Sequence, residues 1–387
     1  MSSIVDRYGC LLNVVIEQFP NLSTIPLHAP VFLGREKEYL AECIDTTYVS
    51  SVGPFVDRFE SMMADIAGTR FAVATVNGTA ALHIALVLAG VRDGDEVITQ
   101  PLTFVATCNA IAYQRAHPVF VDVDRDTLGL SPDALESFLS STCEMRGDVC
   151  INRTTGRRVA AVLPMHTFGL AARIDRILDI AERWRLPVVE DAAEALGSSF
   201  DGRALGSFGL VGAFSFNGNK IVTSGGGGAV VTDDPELARR AKHLTTTAKV
   251  PHAWEFYHDE VGFNYRLPNL NAALACAQLE CLEFFVERKR ALAGLYLEAA
   301  RKSNIAMVTE SARARSNYWL SALLVDEPDH RDLLLDEGAR RKIMMRPIWT
   351  LMTDLPAFAE AQRGDGLSNA TWLQRRIVNL PSSVVVS

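Results

Sequence analysis

No apolar run in the 387 residues reaches the length of about 18 needed to cross a bilayer. The longest, Ala80 to Val91, is short and contains His83. No cationic stretch followed by an apolar one opens the chain, and Asp6 and Arg7 come early, so no signal peptide is expected. Positive charge is scarce: 38 basic residues face 46 acidic ones, a net charge of −8. That excludes the basic face of a general nucleic-acid binder and any polybasic attraction to an anionic membrane. Cysteines are few, odd in number and scattered, at Cys10, Cys43, Cys108, Cys143, Cys150, Cys276 and Cys281. Without a C-x2-C pair they form neither a disulfide framework nor a zinc site. Low-complexity linkers and internal repeats are also missing. The balance describes a soluble cytoplasmic protein.

What is present is a large apolar fraction, 48 %, enough for an extensive core. The length suggests two or three domains. A leading helix is expected from Ile4 to Phe19. From Phe71 short strands alternate with helices. Strands are read at 71–75, 96–99, 118–122, 159–163 and 188–189, the last ending at Glu190-Asp191. Helices are read at 79–89, 104–113, 133–140 and 174–184. Such alternation predicts a mostly parallel sheet with helices on both faces. The Val, Ile and Ala content of the strands fits a sheet covered on both sides. The polar stretch Ser141 to Arg158 reads as a surface excursion. Beyond Val231 longer helices take over, especially Asn271 to Ala299. The division is therefore an N-terminal helical segment 1–25, a large α/β domain 26–270 and a smaller α+β domain 271–387.

Four segments carry chemistry. In Ser215-Phe-Asn-Gly-Asn-Lys220, followed by Gly225-Gly-Gly-Gly228, a lysine sits among small and apolar residues. Desolvation makes such an amine nucleophilic, as imine chemistry needs. Glycine permits close backbone approach. The segment fits a surface lysine before a glycine turn equally well. It is not a Walker loop, because the glycines follow the lysine.

In Val188-Val-Glu190-Asp191-Ala-Ala-Glu194 an aspartate ends a buried strand, facing the crevice where α/β folds bind ligands. Such a carboxylate pairs with a protonated pyridine nitrogen, or simply caps a helix. In Asn77-Gly78-Thr79 a strand runs into a helix start that suits a phosphate, or makes an ordinary βα turn. His83, inside that helix, reads as a satisfied core histidine. Phe104, at the next junction, either stacks on a flat ring or fills the core. Together these place a lysine, an aspartate, a phosphate cradle and an aromatic at successive strand ends. That combination asks for a flat, phosphorylated, carbonyl-bearing cofactor, and pyridoxal phosphate (PLP) fits.

With these stretches assembled, the chain resembles the DegT/DnrJ family of nucleotide-sugar aminotransferases, fold type I of the PLP enzymes. The likeness runs from about Ile25 to the C-terminus. It is carried by IPLHAPVF, VSSVGPFVDRFE, VNGTAALHIAL, GDEVITQPLTFVATCNAI, PVFVDVDRDTLGLSP, PMHTFGL, VVEDAAEALGS, FSFNGNKIVTSGGGGAVVTDD and GFNYRLPNLNAALACAQLE. MMRPIWTLMTDLP and IVNLPSS are similar to the subgroup of legionaminic-acid and bacillosamine-type pathways, with perosamine synthases as relatives.

The resemblance implies that Lys220 forms the internal aldimine and shuttles protons, and that Asp191 keeps the pyridine nitrogen protonated. It implies that Phe104 stacks on the ring and that Gly78, Thr79 and Ser215 bind the phosphate. Asn264 would reach the phosphate of a neighbouring subunit, giving a homodimer with shared sites. Glu194 would lie near the ring hydroxyl; many relatives carry His or Gln there, and perosamine-type members resemble this chain at that position. Family dehydratases have histidine in place of the lysine, so Lys220 points to amino transfer. The implied reaction moves an amino group from glutamate to the 4-keto carbon of a nucleotide-linked 6-deoxysugar.

Substrate-side candidates are Lys249, Trp254, Tyr318 beside Trp319, Arg346 and Trp349. Arg346 suits a diphosphate, since guanidinium grips phosphate bidentately, and equally suits a surface salt bridge. No metal site is expected; His252 and His258 lack a third ligand. His166 follows a strand and belongs behind the site. The rivals are amino transfer at C3 and a regulatory protein that binds PLP without turnover. A nicotinamide dehydrogenase ranks far below, because Asn77-Gly78-Thr79 occupies the place where G-x-G-x-x-G would stand.

Overall fold

The computed structural model describes residues 2–386. Helices α1 (Ser2–Gln18), α2 (Glu36–Asp45) and α3 (Pro54–Ala67) precede the first strand. Then come β1 (Phe71–Thr75), α4 (Gly78–Leu88), β2 (Glu96–Thr99), α5 (Val105–Tyr113) and β3 (His117–Phe120). They are followed by α6 (Pro132–Thr142), β4 (Val159–Leu163), α7 (Ile174–Arg183), β5 (Val189–Asp191), β6 (Val211–Ser215) and β7 (Gly228–Thr232).

β1, β7, β6 and β5 form one hydrogen-bonded run, and β4, β2 and β3 another. Parallel bridges Val162↔Val188 and Met165↔Asp191 join the two into a seven-stranded layer. Only β7 runs antiparallel to its neighbours. Every residue of β2, β4 and β7 is buried, as expected for strands covered on both faces. The parallel strands therefore end on one side, where a crevice forms.

α8 (Pro235–Thr245) and α9 (Asn269–Leu279) complete the large layer. The continuous helix expected from Asn271 to Ala299 is broken at Glu280-Cys281, and α10 spans Leu282–Lys302. No proline or glycine marks the break. The Glu280 carboxylate is gripped by the Tyr39 hydroxyl (2.7 Å) and by Arg58, contacts that only the tertiary fold creates. The polar stretch after α6 is an antiparallel hairpin, Cys143–Arg146 against Val149–Asn152, which buries Cys143 and Cys150.

A smaller antiparallel sheet orders Ala306–Met307, Ser321–Leu324, Ile377–Leu380 and Arg346–Pro347. α1 buries Ile4, Tyr8, Leu11, Leu12 and Val15, spaced as one helical face, against Leu292 and Tyr296 of α10 and Leu334. The leading helix thus shares one core cluster with the smaller sheet, through Leu323, Val378 and Leu380. Among the described residues no helix is long and apolar enough to cross a membrane.

Lys289 of α10 is fully buried and donates to the Ser382 carbonyl. Burial pulls its ammonium down to about 7 from an ordinary value of 10.5. Between those values the unfolded chain holds a proton that the folded one releases, so stability rises with pH across the window. Melting curves from pH 7 to 10 should show this rise, and Lys289→Met should flatten it by about 3 kcal/mol at roughly 1.4 kcal/mol per unit.

Candidate active site

At the ends of β1, β5 and β6 lies a cavity of about 340 Å³. Its walls include Gly78, Thr79, Phe104, Asp191, Glu194, Ser215, Lys220, Trp319 and Trp349. Parallel strands deliver Asn77, Asp191 and Ser215 to one edge, and Trp319 and Trp349 arrive from beside the smaller sheet.

One corner of the cavity is built by the start of α4. Asn77 caps it: its side chain accepts the Ala80 N–H (2.8 Å) and its carbonyl that of Ala81 (3.1 Å). The first N–H groups of a helix have no intrahelical acceptor, and here they belong to Gly78 and Thr79 at the cavity wall. A Cβ on Gly78 would lie 2.6 Å from the Ser215 Cβ, so only glycine lets that serine close the cradle. At Gly228, where β7 begins, a Cβ would meet the Asn77 carbonyl at 2.4 Å. That close approach accounts for one of the four glycines after Lys220.

Asp191 is 2 % exposed. Burial pushes its carboxyl above the usual range, against the pull of two donors. The Thr107 hydroxyl donates to Oδ2 (2.7 Å) and the Ala193 N–H to Oδ1 (3.1 Å). Thr107 sits one turn after Phe104 on α5, a position that periodicity alone did not single out. Behind Asp191, His166 accepts the Ala172 N–H at Nδ1 (3.2 Å), which leaves Nε2 to donate to Glu190 (2.9 Å).

Glu194 is equally buried, and burial raises its carboxyl while the Lys220 amine opposes this. Oε1 lies 3.1 Å from Lys220 Nζ, and Oε2 accepts the Phe168 N–H at 2.9 Å. Phe168 offers that N–H from the left-handed region, at φ 58°. The surroundings of Lys220 are therefore half ionic, not the apolar pocket expected. Its Nζ also stands 4.1 Å from the centre of the Trp319 ring.

Phe104 is 48 % exposed at the cavity rim, which sets aside the core-filling alternative. His83 is buried and bonded to Tyr265 and Gln114, as a core histidine should be. Several substrate-side candidates lie elsewhere. Tyr318, at φ 43°, turns away and its hydroxyl accepts the Glu310 N–H (3.3 Å), so Trp319 takes the wall instead. Arg346 is exposed and donates to the Met345 carbonyl (3.0 Å), while Trp349, three residues on, lines the cavity.

Lys249 and Trp254 belong to an arm around the pairing 249–250 with 257–258, outside this cavity. Asn264 is exposed; its neighbours Phe263 and Tyr265 stack together against His83, and this alternation turns Asn264 outward. Among the described residues one metal-competent group occurs, His243, Asp259 and Glu260, and Arg240 already pairs with Glu260.

Asn317 was missed by sequence reading. It is fully buried; Nδ2 donates to the carbonyls of Glu194 and Leu196 (both 2.9 Å) and Oδ1 accepts the Trp319 N–H (2.8 Å). One amide thus fixes Glu194 relative to Trp319.

Residues 33–387 match the DegT/DnrJ/EryC1/StrS aminotransferase family. The chain belongs to this family. It is 35 % identical over 359 residues to the GDP-perosamine synthase of Escherichia coli O157:H7, covering 92 % of this chain and 93 % of that one. Identity to the GDP-perosamine synthase of Caulobacter vibrioides is 36 % over 349 residues, covering 89 % and 90 %. A crystal structure of a DegT DnrJ EryC1 StrS aminotransferase from Brucella abortus matches with a TM-score of 0.83, at 29 % identity and 91 % coverage of both chains. As a family member the protein is a PLP-dependent aminotransferase of fold type I.

The Asn317 amide makes a direct stability test. Asn317→Ala leaves three buried backbone groups without partners, each costing about 1–3 kcal/mol. A Cβ on Gly169, itself at φ +86°, would come within 1.9 Å of Asn317 Oδ1. Denaturant titration should therefore show both Asn317→Ala and Gly169→Ala losing about 3 kcal/mol or more.

Proposed function

We propose that the enzyme moves an amino group from glutamate to the 4-keto carbon of a nucleotide-linked 4-keto-6-deoxyhexose. The product is a 4-amino sugar for a surface glycan or a nonulosonic acid. The observation that carries this reading is the meeting of Lys220, Glu194 and Asp191 with the α4 cradle in one cavity. The relatives named GDP-perosamine synthase support a nucleotide-sugar substrate.

The residues fit PLP. The cradle that any Cβ on Gly78 would fill has the shape and donors for a phosphate. Asp191, already held by Thr107 and Ala193, is a desolvated carboxylate that gains a cationic partner from a protonated pyridine nitrogen. Phe104 offers its exposed ring to a flat one. When bound, PLP supplies the electron sink through which the amino group passes from donor to ketone. Lys220 holds the cofactor and, once released, moves protons at Nζ between donor, ketone carbon and the Glu194 carboxylate. Glu194 keeps a proton acceptor beside that amine.

Asn264 reaches the phosphate in a second copy of the chain, so the working unit is a homodimer. Its outward position and the exposed Trp254, Phe256 and Val261 of the adjoining arm support this.

Three experiments test the reading. The purified protein with PLP should absorb near about 420 nm and move toward about 330 nm with glutamate, and Lys220→Ala should abolish that cycle. An absent band in the wild type sinks the proposal. Thr107→Val should weaken cofactor retention by about tenfold, the worth of one hydrogen bond to a charged group, measured by equilibrium dialysis. Mixing Lys220→Ala with Asn264→Ala should restore activity that each lacks alone, because a mixed dimer contains one intact site. No recovery in verified mixed dimers would rule out shared sites.

A further inference from the structure

We propose that Trp319 is a positioning residue that docks the free Lys220 ammonium between its ring face and Glu194; this rests on reading Lys220 as the cofactor-holding amine. The indole grips the lysine from two sides. Its face lies 4.1 Å from Nζ. Its edge, Nε1, donates to the carbonyl of Asn219, the residue before the lysine, at 2.7 Å. The same ammonium reaches Glu194 Oε1 at 3.1 Å. Asn317 ties the Trp319 backbone to the Glu194 carbonyl, so face and carboxylate keep a fixed separation.

The setting strengthens a cation–π contact. Trp319 is 5 % exposed, and Phe168 flanks it at 6.3 Å. His28 lies 6.5 Å away on the same ring, with both nitrogens shielded and without a partner among the described residues. Burial and the charges of Lys289 and Lys220 hold His28 well below its ordinary value, so it stays neutral. Glu194 and Asp191 are the carboxylates facing the amine, and Lys289 lies behind His28. Among the described residues Lys220 is the cation that stands over this largely buried indole, and partial desolvation strengthens such a contact.

The dock answers a need of the chemistry. Lys220 alternates between holding the cofactor and standing free to carry protons. A freed lysine has four rotatable bonds and loses its aim unless something holds it. Trp319 supplies that hold without competing for the proton.

Pulse acetylation of the apoprotein, read by mass spectrometry at Lys220 against exposed Lys302, tests the dock without any turnover. Trp319→Leu should raise Lys220 labelling at neutral pH about fivefold, and Trp319→Phe, which keeps a ring face, should stay within about twofold of wild type. Near about pH 11, where free lysines are already deprotonated, the gain should vanish. A Trp319→Leu rate equal to wild type overturns the proposal. So does a gain that persists at high pH, which reports access alone, or a Trp319→Phe rate as fast as that of Trp319→Leu. The labelling needs no cofactor, so it can fail while the 420 nm band stands, or succeed while that band is missing.

Discussion

Two carboxylates buried beside one amine are the constraint around which the site is arranged. Asp191 and Glu194 are each 2 % exposed, and an ionised group taken out of water costs several kcal/mol unless it is paired and hydrogen-bonded. Each carboxylate is therefore surrounded by its own donors. Asp191 has Thr107 and Ala193; Glu194 has Phe168 and Lys220. The left-handed turn at Phe168 serves this compensation, and Asn317 holds the Glu194 backbone in place.

The consequences reach both units of the fold. Asn317 and Trp319 lie just ahead of Ser321–Leu324 in the smaller sheet, yet they bond to Glu194 and Asn219 of the large layer. The seam between the units thus passes through the amine. A shift at the seam would move Trp319 relative to Lys220 and Glu194, which lie together in the large layer.

Much of the site was legible because it obeys a strand-end rule. Asn77, Phe104, Asp191 and Ser215 each follow or end a buried apolar run, and parallel strands bring such ends to one edge. Lys220 was marked by the glycines behind it, one of which is required by the Asn77 carbonyl. The sheet itself could be read from continuous Val, Ile and Ala runs. The break at Glu280-Cys281 could not, since its partners Tyr39 and Arg58 lie far away in the chain.

The choice between Tyr318 and Trp319 shows where local reading stops. Adjacent aromatics are equivalent in a sequence, and a left-handed φ at Tyr318 decides which one faces the cavity. Arg346 and Trp349 were separated in the same way by the edge of the small sheet. The sequence by itself determined the family, the alternation of strands and helices from Phe71 to Asp191, and the chemical types at the strand ends, because these follow from periodicity and from short segments. Tertiary structure alone decided the pairing of Lys220 with Glu194, the indole above the amine and the outward turn of Asn264. Those depend on contacts between segments distant in the chain, and burial sets their strength.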